Sequence, residues 1–106
     1  MRFEVVIING KDYPVKYGFS ALRVFTKLTN TTINDLGRLV DTMTLDHAIC
    51  LCYAGLKDGH RVADKEFTLT IEDVADLLDD DNKALDKIMK VFSSSLAKPA
   101  KKKAKV

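Results

Sequence analysis

FEVVIINGKDYPVKY, residues 3–17, carries two β-rich runs, 3–8 and 13–17, on either side of Asn9-Gly10-Lys11-Asp12. Asn-Gly between such runs is a strong hairpin signal, because both residues tolerate positive φ. Side-chain alternation then places Val6, Ile8, Tyr13, Val15 and Tyr17 on one face, and Phe3, Val5, Ile7, Asp12, Pro14 and Lys16 on the other. The first strand is therefore apolar on both faces. Pro14 cannot donate a ladder hydrogen bond, which puts the second strand at a sheet edge. A lone hairpin is marginal in water, so it must pack against or pair with something more.

From Phe19 the hydrophobic period becomes helical. Ser20 is the expected N-cap of a helix over 21–29, with Phe19 and Val24 at the staple positions. Thr32 and Asp35 have capping-box spacing ahead of Ile33, Leu36, Leu39, Val40 and Met43, which predicts a second short helix weakened by Gly37. Thr44 caps a third, almost wholly apolar helix carrying Leu45, Ala48, Ile49, Leu51, Cys52, Tyr53 and Leu56, the candidate for the centre of the fold, with Gly59 as its stop. Phe67 and Leu69 alternate with Glu66, Thr68 and Thr70 as in a short third strand. Thr70 and Asp73 repeat the capping box before a helix carrying Ile71, Val74, Leu77 and Leu78 and ending near Asp79. A last helix over 83–96 bears Leu85, Ile88, Met89, Phe92 and Leu96. Pro99 is expected to end regular structure. The predicted class is α+β: an N-terminal hairpin, with a possible third strand, packed on four to five short helices.

The 106 residues suffice for one domain, expected over 1–96, followed by a disordered basic tail, AKPAKKKAKV, over 97–106. The net charge of +2 comes from Lys98, Lys101, Lys102, Lys103 and Lys105; without them twelve Lys and Arg face all fifteen Asp and Glu, a net of −3. The longest apolar stretch, residues 48–56, is too short to span a membrane. The N-terminus does not read as a secretory signal, so a cytoplasmic protein is expected. Cys50 and Cys52, two positions apart on a helix, cannot share a metal or a disulfide and are expected to be buried thiols.

Material for catalysis is thin, and no catalytic, cofactor-binding or metal-binding residues are assigned. His47 falls in a first helical turn and His60 in an expected exposed loop, neither with ligands at metal spacing. Asp79-Asp80-Asp81-Asn82 lacks the alternate oxygens, central Gly and terminal Glu of a calcium loop, and reads as an acidic cap for the last helix. No Gly-rich run links a strand to a helix, as a phosphate cradle requires. The lysine tail has no interleaved aromatic residue and follows a net acidic body, so nucleic-acid binding is the weaker alternative, a small regulatory module using the tail. Lys101-Lys102-Lys103 is also compatible with an A-rich message on which ribosomes slip. What stands out is apolar surface. Phe3, Val5 and Ile7 on the outer hairpin face, with Met89 and Phe92 on the last helix, are the expected partner contacts; the stripe that carries Met89 and Phe92 also fits a core position, which suits Phe92 slightly better than contact.

Ile8-Asn9-Gly10-Lys11, the run Gly18-Phe19-Ser20-Ala21-Leu22-Arg23, the spacing Tyr53-x-Gly55-Leu56-x-x-Gly59 and residues 67–74, FTLTIEDV, together resemble the small tail assembly chaperones of long-tailed bacteriophages and prophages. The resemblance covers residues 3 to about 96. It implies a non-enzymatic protein of the host bacterial cytoplasm that coats the tape measure protein, recruits tail tube protein, and leaves before the virion is complete. It also implies a longer form made by frameshifting, and admits a homo-oligomer. The family contributes no catalytic residues and no client-binding motif that maps onto individual positions.

Overall fold

A computed structural model describes residues 3–35 and 43–105. Strands β1 (Glu4–Ile8) and β2 (Lys11–Val15) form an antiparallel hairpin closed by Asn9 and Gly10, at φ 51° and 80°. Val6 pairs with Tyr13 and Ile8 with Lys11, while Val5 pairs with Pro14 and Ile7 with Asp12. The face with Val6, Ile8, Val15 and Tyr17 is buried, and Val5 and Ile7 on the other face are exposed. In a hairpin with a two-residue turn, the flanking pair, Ile8 and Lys11, exchanges ladder hydrogen bonds. Alternation then makes Val5–Pro14 and Ile7–Asp12 non-hydrogen-bonded pairs, whose backbone groups face outward from the hairpin. Pro14 thus occupies a position where β1 asks for no N–H.

The outer edge of β2 is taken by a helix. The Lys16 N–H donates to the Gly55 carbonyl at 3.0 Å, within α2 (the second α-helix of the described chain, Leu45–Val62). This satisfies the hairpin without a third strand. The expected strand around Phe67 and Leu69 is not formed: residues 65–70 make no ladder. Their alternation instead reflects one-sided packing, with the Phe67 ring 5.5 Å from Tyr53 and 5.0 Å from His60.

Helix α1 (Phe19–Thr29) starts two residues earlier than a Ser20 cap would allow, because Gly18 is its N-cap. The Gly18 N–H donates to the Asp58 carboxylate at 3.4 Å, so an acidic group on α2 serves the positive end of α1. Phe19 is 85% exposed and does not act as a staple. Ala21 and Phe25 form the buried stripe. After Asn30, in the left-handed conformation, a 3₁₀ turn covers Ile33–Asp35. The Asp35 carboxylate accepts from the Thr32 N–H and hydroxyl. The rest of the predicted second helix, with Leu36, Gly37, Leu39 and Val40, lies outside the described residues.

Helix α2 is central. The Thr44 hydroxyl accepts from the His47 N–H, and Ala48, Cys50, Leu51, Cys52, Ala54 and Leu56 are buried. The helix does not stop at Gly59 but continues to Val62. Gly55 and Gly59 lie one turn apart on a common face. A Cβ on Gly59 would fall 2.1 Å from the Pro14 carbonyl oxygen, and one on Gly55 2.4 Å from the Tyr17 ring. These glycines are there for close approach of β2 to α2, not for helix termination. His60 is consequently inside the helix and buried, with Nδ1 2.7 Å from the Leu56 carbonyl. Since a carbonyl only accepts, that bond assigns the proton to Nδ1.

Helix α3 (Ile71–Asp80) opens with the full reciprocal box: Asp73 N–H to the Thr70 hydroxyl, 3.1 Å, and Thr70 N–H to the Asp73 carboxylate, 2.9 Å. Helix α4 (Ala84–Lys105) buries Ala84, Ile88 and Phe92. It runs past Pro99, where regular structure was expected to end before a disordered 97–106. A helical proline forfeits one backbone bond and crowds the preceding turn, at about 3 kcal/mol. The surrounding alanines and lysines are among the best helix formers, which favours continuation.

Candidate protein-binding site

The candidate surface lies on the free edge of β1, opposite the edge sealed by α2. Two polar links hold α4 beside it. Lys87 Nζ donates to the outward carbonyl of Ile7 at 2.8 Å. The N–H of Asn9, in the hairpin turn, donates to the Asp81 carboxylate at 3.1 Å. The same carboxylate accepts from the Lys83 N–H at 3.0 Å and lies 3.7 Å from Lys87 Nζ. These partners hold the Asp81 carboxyl below its usual range: chiefly the Asn9 N–H, then the Lys83 N–H, with Lys87 adding charge. The acidic junction therefore orders the turn that leads into α4 and ties it to the hairpin turn, through the N–H of Lys83, which precedes the helix, and that of Asn9.

Between these links the strand and helix do not close. A groove of about 370 Å³ remains, lined by Glu4, Val5, Val6, Ile7, Lys87, Lys90 and Val91. Val5 is 53% and Ile7 54% exposed, large values for β-branched aliphatic side chains on neighbouring outward positions. On the far flank of α4 a second groove of about 370 Å³ is lined by Met43, Thr44, Leu45, Ala48, Leu85 and Met89. Leu45 there is 74% exposed.

Of the five residues expected to contact a partner, Val5 and Ile7 share the first groove. Phe3 is half-buried and is not part of the groove lining. Met89 is half-buried and belongs to the second groove. Phe92 is core rather than contact surface: it is 1% exposed, and its ring meets Tyr17 edge-on at 5.1 Å. The helical period explains this, since Phe92 continues the Ala84, Ile88 stripe that faces inward. Lys87, Lys90 and Val91 escaped the sequence reading, and Leu45 was read as part of the central apolar helix although it is exposed; an apolar Val91 one position before the core stripe's Phe92 was the available signal for a flank. The basic residues Lys98, Lys101, Lys102, Lys103 and Lys105 occupy the last turns of α4.

Several titratable groups lie away from this surface, within or against the helices. Cys50 and Cys52 are both free and buried. Burial pushes the Cys52 thiol up to about 12; burial, with Asp46 nearby, also raises Cys50. Burial, then Cys52, raises the Tyr17 phenol, whose hydroxyl donates to the Leu51 carbonyl at 2.7 Å. Asp58, 3% exposed, is held by Arg61 through Nε at 3.1 Å and a second guanidinium nitrogen at 2.8 Å. His47 keeps a buried Nδ1 without a hydrogen-bond partner, near the Phe25 ring at 6.4 Å. Among the described residues, no three His, Cys, Asp or Glu converge as a metal would require, and no helix is long and apolar enough to cross a membrane.

Comparisons of the chain with protein-family models, with curated proteins and with solved structures found no match.

Proposed function

We propose that this chain is a non-enzymatic chaperone of phage tail assembly, working in the bacterial cytoplasm, which shields an apolar segment of the tape measure protein and brings tail tube protein to it. The observation that carries the reading is the exposure of Val5 and Ile7 beside an open groove on an otherwise packed hairpin. Aliphatic surface held on a rigid strand offers contact area at little ordering cost. The family resemblance in residues 3–96 supplies the identity of the client. Each copy binds weakly, and many copies along one long client bind strongly through multivalency.

The test is co-expression with the long helical protein encoded beside this chain. The client is expected to be soluble with the native chain and to aggregate with V5D/I7D. Solubility without the chain, or full rescue by V5D/I7D, overturns the reading.

A further inference from the structure

The chain has four asparagines, Asn9, Asn30, Asn34 and Asn82, and one Asp-Gly pair, Asp58-Gly59. Such a side chain converts without an enzyme when the main-chain nitrogen of the following residue attacks its carbonyl carbon. That nitrogen must be unhindered and its N–H free of a hydrogen bond. At four of the five positions the N–H is engaged. After Asn30, the Thr31 N–H donates to the Thr26 carbonyl at 3.0 Å, and after Asn34 the Asp35 N–H donates to the Thr32 carbonyl at 3.0 Å. After Asn82, the Lys83 N–H donates to the Asp81 carboxylate at 3.0 Å. Gly59 lies inside α2, where main-chain N–H groups pair within the helix, and the Asp58 carboxylate is held by Arg61.

Gly10 is different. The ladder closes through Ile8 and Lys11, which leaves the Gly10 N–H outside it, and no acceptor takes that N–H among the described residues. Asn9 and Gly10 are both exposed, and a Cβ on Gly10 would meet nothing within 4 Å. We propose that Asn9-Gly10 is a site of spontaneous modification that releases the hairpin turn from Asp81. Hydroxide removes the Gly10 amide proton, the nitrogen bonds to Asn9 Cγ, the Cγ–Nδ2 bond breaks, and the amide leaves as ammonia with a proton from water. Water then opens the succinimide ring at either carbonyl. The products are aspartate at position 9 or isoaspartate, in which the main chain runs through Cβ and Cγ. Ring closure draws on local opening of the turn, which costs least at a loop tip.

The Asn9 N–H donates to the Asp81 carboxylate at 3.1 Å. Either product sets a second carboxylate beside the first, and isoaspartate also lengthens the backbone of a two-residue turn. The change runs one way, because the ammonia is lost.

The full chain is incubated at neutral and mildly alkaline pH, and peptide mapping with isoaspartyl methylation reads each asparagine. Conversion at position 9 is expected to rise with pH and to run at least about tenfold faster than at positions 30, 34 and 82, where a hydrogen bond must first break. Asn9→Gly, which keeps the positive φ, is expected to abolish the acidic form of the intact chain. Equal conversion at all four asparagines, or conversion at position 9 only in denaturant, overturns the site. In the separated acidic form, hydrogen-exchange protection of the amide at position 9 is expected to fall at least about fivefold, with that of Asp73 in the α3 box unchanged. Undiminished protection at position 9 overturns the release from Asp81.

Discussion

The two edges of the hairpin are treated in opposite ways. Along β2, α2 replaces side chains with Gly55 and Gly59, so that strand and helix backbones touch and the Lys16 N–H bonds directly to the helix. Along β1, α4 shares the core beneath the strand, Lys87 and Asp81 supply polar links, and on the outward side a groove floored by aliphatic side chains stays open. One edge is closed by backbone packing and the other is open. Under the proposed function, substitutions on the β2 side are expected to report on folding and those on the β1 side on binding.

The largest effect is expected where the core meets α4. Phe92→Ala removes a wholly buried ring packed on Tyr17, and a loss of about 3–5 kcal/mol in chemical denaturation is expected. If it instead proves neutral while impairing client binding, the assignment of Phe92 to the core fails. Gly59→Ala drives a Cβ into the Pro14 carbonyl, backbone against backbone, and is expected to cost about 3 kcal/mol, the upper part of the overpacking range. A stability within experimental error of native would mean that the sealed edge is not sealed. Thr70→Ala, which removes the hydroxyl of the α3 box, is expected to cost about 1 kcal/mol. V5D/I7D belongs at the bottom of the stability scale, with a change of about 0.5 kcal/mol or less for each exposed site, despite its predicted abolition of client solubilisation.

The Asp81 junction sharpens the comparison through pH. Its carboxyl is lower in the folded chain than the ordinary value of 3.8. A depressed acid stabilises the fold when ionised, so its contribution is complete above 3.8 and is lost as the pH falls from there through the folded-state value. Asp81→Asn is expected to flatten that acid limb of the stability curve; an unchanged limb would show that the link between hairpin turn and α4 does not form.

The sequence was most legible where local chemistry and tertiary packing agree. Asn9-Gly10 and the alternation around it specify a hairpin and the identity of its outward face, which is the same for a loop of two residues or four; the two-residue turn is read from the pairing. Thr70 and Asp73 likewise specify a helix start through bonds made within four residues. Legibility failed where a residue serves a distant neighbour. Gly59 resembles a helix stop until Pro14 is placed against it, and His60 resembles a loop residue for the same reason. Phe67 and Leu69 alternate because one side rests on α2, a pattern identical to that of a strand. Of the candidate site, Val5 and Ile7 were legible from parity alone. The groove was not, because its second wall depends on which side of α4 faces β1, and the Lys87–Ile7 bond that settles this joins residues 80 positions apart.

Amide hydrogen exchange of the chain, measured alone and in complex with the co-expressed client, tests directly whether capture occurs at the open edge. Slowed exchange is expected at the outward amides of Val5 and Ile7 and along the α4 flank that carries Lys90 and Val91, with α1 and the β2–α2 contact unchanged. Protection confined to α1 or α2, with Val5 and Ile7 exchanging as freely as in the isolated chain, would contradict the account.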